Sequence, residues 1–190
     1  MKLTTVAEYL KAIANGPISQ PDGVTCQSTC ICAAIGGNVS IGHIREALFQ
    51  IGEPGSPDVM GKYLTSFFGD RYSYQASASI NDIREAIDAG CLVIIHGWFT
   101  GSGHVVCIDG EDSTGFRMMD PNDEFEATEW GYPSEEQAFQ GIYSDLLIYA
   151  ACIAGESSDD AHRIYLEGSA IDKSRGGAWV HKIRPGVTSC

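Results

Sequence analysis

A chain of 190 residues with 44% hydrophobic side chains is long enough to bury a core and is expected to form one globular domain over residues 1–190, not a disordered tail. Its formal net charge of −13 argues against nucleic acid as a partner, and against adhesion to anionic lipid or wall polymer. No apolar run reaches membrane-spanning length; the longest, CLVIIHGWF, is broken by His96 and Gly97. The N-terminal MKLTTVAEYL carries Glu8 and lacks an uninterrupted apolar core, so no signal peptide is expected.

In chain order, residues 3–14 read as an amphipathic helix with Val6, Leu10 and Ile13 on one side, capped by Thr4 or Thr5 and ended by Asn15-Gly16-Pro17. The turn residues Pro21, Asp22 and Gly23 then deliver Cys26 to the first turn of a second helix. That helix is lined by Ser28, Thr29, Cys30, Cys32, Ala33 and Ala34, and stops at Gly36-Gly37. A third helix is predicted over 41–51, with Ile44, Leu48 and Ile51 as its buried row and His43 in its first turn. A fourth spans roughly 57–68. YSYQA reads as a short strand. SINDIREAIDAG reads as a helix capped by Ser79, with Asp82 at its third position and Gly90 at its end.

The pattern then changes from helical to stranded. LVIIHGWF reads as a central strand, GSG as a turn, HVVCIDGED as a second strand beginning at His104, and residues 115–119 as a third, ended by Asp120-Pro121. YSDLLIYAACIAG is apolar enough for a core element of either type. In the last segment, HRIYLEG and AWVHKIRP look like two strands joined by a polar loop, so a hairpin is expected within a C-terminal extension over 155–190, beyond a core of about 17–150. The fold class expected is α+β, a helical first half packed on an antiparallel sheet from the second half, with a cleft between them.

The seven cysteines (26, 30, 32, 91, 107, 152 and 190) are odd in number and irregularly spaced, as suits small buried side chains in a reducing compartment. Cys26 stands apart. A thiol at a helix N-terminus lies at the positive end of the macrodipole, which favours thiolate. Gln20, shortly before it, can donate amide protons to a developing oxyanion, and Gln27 is a second candidate for that role. His104 follows Gly101-Ser102-Gly103 and opens a strand, so its ring sits at the rim of the sheet where it could take the thiol proton. Asp120 ends the neighbouring strand, close enough to hold the other ring nitrogen. A core histidine and a turn aspartate before proline would account for the same residues. Trp98 and Phe99 suggest an aromatic wall of the cleft, with Gly103 beside it, whereas His96 reads as a buried strand histidine. Asp109, Glu111, Asp112, Asp120, Asp123, Glu124 and Glu126 read as a solvated acidic face that would bias the cleft toward cationic peptide segments. They lack the spacing of a calcium loop.

Taken as a set, Gln20 six residues before a cysteine that opens a small-residue helix, then Gly103-His104-Val105-Val106, then Met119-Asp120-Pro121, resembles the papain-like cysteine peptidases. It is most similar to the bacteriocin-processing (double-glycine-leader) peptidases and their stand-alone relatives. The resemblance covers roughly residues 17–122, with weaker agreement to about 150. It departs from the family where Cys26-Gln27-Ser28 replaces the usual Cys-Gly-Pro. By this resemblance the fold is papain-like, Cys26 is the nucleophile, His104 the base, Asp120 the orienting acid and Gln20 an oxyanion-hole donor, with no cofactor or metal required. The function implied is hydrolysis of a peptide or isopeptide bond in a peptide or protein substrate, through an acyl-enzyme. The alternatives are an inactive module binding a peptide or partner in the same cleft, a zinc hydrolase using Cys and His ligands, and an endopeptidase or amidase acting on cell-wall peptide in the manner of a phage lysin. A cytoplasmic or phage-associated location goes with these readings.

Overall fold

The computed structural model describes residues 6–134, 137–168 and 170–185. Thr4, Thr5 and Cys190 and the side chain of Val6 lie outside the described residues. Four helices come first: α1 (Val6–Ala12), α2 (Cys26–Ala34), α3 (Ile41–Ile51) and α4 (Pro57–Phe68). Of these, α2 has no polar face. Every residue from Gln27 to Ala34 is buried, because the helix lies between its helical neighbours and the sheet. Its small side chains permit that approach, and the Cys30 thiol donates to the Val105 carbonyl at 3.3 Å. Ser40 caps α3 by accepting the His43 N–H.

Beyond the helices run β1 (Tyr72–Ala78), α5 (Ile80–Asp88), β2 (Leu92–Gly97), β3 (His104–Glu111), β4 (Gly115–Asp120) and β5 (Phe139–Ser144). The predicted α5 is observed with a complete capping box. Ser79 accepts the Asp82 N–H, and the Asp82 carboxylate accepts the Ser79 N–H. After β5 the chain forms α6 (Asp145–Ile148), a π-helical turn (Tyr149–Ala154), α7 (Ser158–Glu167) and β6 (Ala178–Ile183). YSDLLIYAACIAG therefore begins as the end of a strand and continues as helix.

All six strands form one antiparallel sheet in the order β1-β6-β2-β3-β4-β5. Alternate residues face opposite layers. Leu92, Ile94, Val105, Cys107, Met119 and Ile183 pack against α1–α4, whereas Val93, Ile95, Val106, Ile108, Met118 and Val180 pack against α5, α6 and the π-helical turn. Burial of both faces explains why β2 is apolar at consecutive positions, where a half-exposed strand would alternate. The architecture is α+β as expected, with a second helical layer on the far face. No helix among the described residues is long and apolar enough to cross a membrane.

Four expectations are corrected. The buried row of α1 is Tyr9 and Ile13, while Leu10 is 42% exposed; Ile51 at the end of α3 is 37% exposed. The C-terminal hairpin does not form: HRIYLEG lies within α7, whose signals are conventional. Ser157 caps it, Asp159 and Asp160 occupy its first turn, and Gly168 stops it at φ 60°. AWVHKI is a strand as predicted, but β6 enters the middle of the sheet between β1 and β2. The core thus runs to Ile183, not to about 150, and residues after 155 are part of it.

Because β6 pairs on both sides, a chain ending after Gly168 leaves two facing strand edges open. We expect that fragment to lose the cooperative denaturant transition of the full chain. A fragment unfolding with the parent midpoint and slope would contradict the central placement of β6.

Candidate active site

Cys26 is the first residue of α2, and the loop before it leaves the helix end open. Thr25 occupies the cap position, yet its hydroxyl donates backward to the Asp22 carbonyl and makes no cap bond. The first-turn N–H groups thereby stay available to an acceptor at the cleft, and the Gln27 N–H, with that of Val105 on β3, favours negative charge on the Cys26 sulfur.

His104 opens β3 after a tight turn. Gly103 donates its N–H to the Thr100 carbonyl, and its own carbonyl accepts the Thr100 hydroxyl. At φ 81° Gly103 occupies a conformation that a side-chain-bearing residue rarely adopts. The turn delivers the His104 ring, 6% exposed, against both Cys26 and Asp120. Its Nε2 lies 2.7 Å from Asp120 Oδ1, which leaves Nδ1 available to the Cys26 thiol on the same cleft wall.

Asp120 is fully buried, and both of its oxygens are held. Oδ1 also accepts the Asn122 N–H at 3.0 Å; Oδ2 accepts the hydroxyls of Tyr132 at 2.8 Å and Tyr143 at 2.9 Å. Four donors on one carboxylate compensate its removal from water and fix where its charge sits. Burial and the neighbouring Asp120 charge raise both tyrosine pKa values, so the phenols stay protonated as donors.

The electrostatics follow from that charge. Burial alone would hold the Cys26 thiol up, but the His104 hydrogen bond and charge, with the two backbone N–H groups, outweigh it and bring the thiol below its ordinary value. Burial opposes the imidazolium too, yet Asp120 and the Cys26 sulfur overcome it and raise His104 to about 10. The arrangement favours thiolate beside imidazolium. By contrast, burial raises the thiols of Cys30, Cys32, Cys91 and Cys152. The Cys30 and Cys32 thiols donate to the carbonyls of Val105 and Val39. Among the described residues, no three His, Cys, Asp or Glu side chains converge as metal ligands.

These groups open on a cleft of about 370 Å³ lined by Cys26, Gly55, His96, Trp98, Gly103 and Trp179, among others. Trp98 and Gly103 are among the residues that line it, whereas Phe99 is buried in the core and does not. The Trp98 backbone is pinned on both sides, its N–H to the Ala151 carbonyl and its carbonyl by the Trp130 indole. Gln20 lies beside the aspartate loop, its N–H donating to the Pro121 carbonyl and its side-chain amide to Asn122 Oδ1 at 3.1 Å. Its own Oε1 is buried without a partner among the described residues. Gln27 has a different task from the one expected. Its amide nitrogen donates to the Ser56 carbonyl and its oxygen accepts the Gly55 N–H, so it holds the loop that lines the cleft.

The acidic stretch is not a uniform solvated face. Asp109 pairs with Arg117, Glu111 with Arg84, Asp112 holds the β3–β4 turn and Asp120 is buried; the acidic side chain at the cleft is Glu156, which lies outside that stretch. His96, expected to be a buried strand histidine, is mostly buried but lines the cleft. Tyr132, Tyr143, Gly55 and Trp179 carry no local motif that spacing could have revealed.

No protein-family model and no curated protein matches the sequence. Among solved structures, the chain is similar to a double glycine motif protease from an AMS/PCAT transporter, crystallised in complex with the leader peptide. Identity is 11%, coverage is 88% of this chain and 90% of that one, and the TM-score is 0.46. It is also similar to a C39-like peptidase from Bacillus anthracis, at 11% identity, with 89% and 94% coverage and a TM-score of 0.47.

Iodoacetamide at neutral pH should modify Cys26 ahead of every buried thiol, with a half-maximal pH below the ordinary thiol range of about 8.5. His104→Ala should move that midpoint upward. Equal labelling of Cys26 and Cys30, or an unmoved midpoint, would contradict the thiolate–imidazolium assignment.

Proposed function

We propose that the chain is a cysteine peptidase-like hydrolase that cleaves a peptide or isopeptide bond through an acyl-enzyme on Cys26. The observation that carries this reading is the placing of Cys26 and His104 together on the wall of an open cleft, with His104 Nε2 held at 2.7 Å by the buried Asp120.

In this reading Nδ1 of His104 holds the proton released by Cys26, and the thiolate attacks the substrate carbonyl carbon. The oxygen that gains charge is met by the Cys26 backbone N–H, which has no intrahelical acceptor at the first position of α2, and by the second amide proton of Gln20. The tether of Gln20 to Pro121 and Asn122 ties that donor to the same loop that fixes Asp120. His104 then returns its proton to the leaving amine. Water enters, His104 removes a proton from it, and the acid product departs as the thiolate is restored. Asp120 keeps Nε2 protonated throughout and holds the ring in plane with the sulfur.

The peptide class of substrate is supported by the cleft. It is open, walled by Trp98 and Trp179, and bordered by Gly55, Gly97 and Gly103, where backbone without side chains admits an extended chain. No metal ligand set is needed for any step.

Cys26→Ala should abolish cleavage of a peptide library while preserving the fold. Gln20→Ala should lower kcat by about 10²-fold, the usual loss of one oxyanion donor. Cleavage surviving in Cys26→Ala would end the proposal; an unchanged kcat in Gln20→Ala would remove Gln20 from it.

A further inference from the structure

The face of the sheet that meets α1–α4 carries a row of rings that the proposed cleavage steps leave unused. The hydroxyl of Tyr72 on β1 lies 2.8 Å from Nδ1 of His181 on β6, and His181 Nε2 lies 3.1 Å from Nε2 of His96 on β2. His181 is fully buried, whereas His96 lines the cleft that holds Cys26 and His104, with Trp179 edge-on beside it.

Hydrogen bookkeeping gives this series a direction. Among the described residues the Tyr72 hydroxyl has no protein partner besides His181 Nδ1; either atom can donate, and we assign the proton to the phenol, the arrangement that leaves no O–H unpaired. A neutral His181 then carries its ring hydrogen on Nε2 and donates it to Nε2 of His96. That nitrogen, as acceptor, must be bare, and the His96 hydrogen resides on Nδ1. Nδ1 has no protein partner among the described residues and is not a sealed buried atom, and His96 is one of the residues that line the cleft. The rings stay neutral around pH 7: burial, aided by the charge on His104, pushes His96 down to about 4, and burial with the neighbouring His96 pushes His181 down to about 2.

We propose that His96 is a substrate-binding residue whose Nδ1–H, aimed through Tyr72 and His181, donates a hydrogen bond to a carbonyl oxygen of the bound peptide, with Trp179 forming the apolar side of the same subsite. This rests on the reading of the cleft as that of a peptidase. A carbonyl fits better than a carboxylate, because the donor is uncharged and Glu156 borders the same cleft. Tyr72 and His181 are positioning residues: they decide which His96 nitrogen bears hydrogen and do not meet the substrate. A histidine on a sheet face would ordinarily exchange tautomers; here a phenol two rings away removes that freedom.

The first test is the ¹⁵N imidazole spectrum of the full chain at neutral pH. His96 should show a protonated Nδ1 and a bare Nε2, and Tyr72→Phe should convert it to a mixture of tautomers. The second is steady-state cleavage of a neutral peptide substrate. His96→Phe should raise KM about fivefold to tenfold, the scale of one lost neutral hydrogen bond, with the loss concentrated in KM. His96→Asn, which returns an amide N–H near the Nδ1 position, should recover most of it. A protonated Nε2 on His96, or an unchanged KM in His96→Phe alongside Cys26-dependent cleavage, overturns the His96 assignment alone. Absence of any cleavage by the parent protein overturns the peptidase reading, and the proposed peptide ligand with it.

Discussion

The structure depends on a carboxylate placed where water cannot reach it. Asp120 is fully buried and accepts from His104, the Asn122 backbone, Tyr132 and Tyr143. An unpaired charge in that position would be strongly destabilising, so the surrounding chain is arranged to satisfy it. The consequence is chemical as well as structural. A charge fixed on one side of His104 holds a proton on that ring, and the protonated ring lowers the thiol on its other side. Cys26 differs from the buried thiols around it chiefly because it is the one that meets this imidazole.

Positioning these groups takes most of the fold. Cys26 is presented by a helix with no polar face, which needs a layer on each side. His104 and Asp120 come from adjacent strands, and the second helical layer closes over the opposite face. The last strand completes the wall. Since β6 lies between β1 and β2, the chain must return to the sheet centre after α7, and in doing so it brings Trp179 to the cleft and His181 behind it. The end of the chain is therefore as much a part of the cleft as the segment that holds the thiol.

What could be read in the sequence follows from how local each signal is. Cys26 stood out because turn residues precede it and small residues follow it; His104 because a glycine turn opens an apolar strand; Asp120 because proline ends the strand there. Each is a feature of a few consecutive residues. The two tyrosine donors on Asp120 lie 12 and 23 positions later, with nothing nearby to mark them. Gln27 was visible as a polar residue next to the cysteine, but its partners lie 28 and 29 positions away, and those partners decide its task. HRIYLEG is ambiguous for another reason. A short apolar run fits either period, and the cap at Ser157 and stop at Gly168 were the deciding features. Strand order has no local signature, so the insertion of β6 was not legible from its own residues.

The shared proton between Cys26 and His104 can be tested without a substrate, by recording the His104 ring ¹⁵N resonances at neutral pH before and after Cys26 is alkylated. A thiolate–imidazolium pair requires both ring nitrogens to be protonated in the free protein, with a fall in the His104 pKa once the sulfur is capped. A singly protonated ring beside a neutral thiol, unchanged by alkylation, would contradict it.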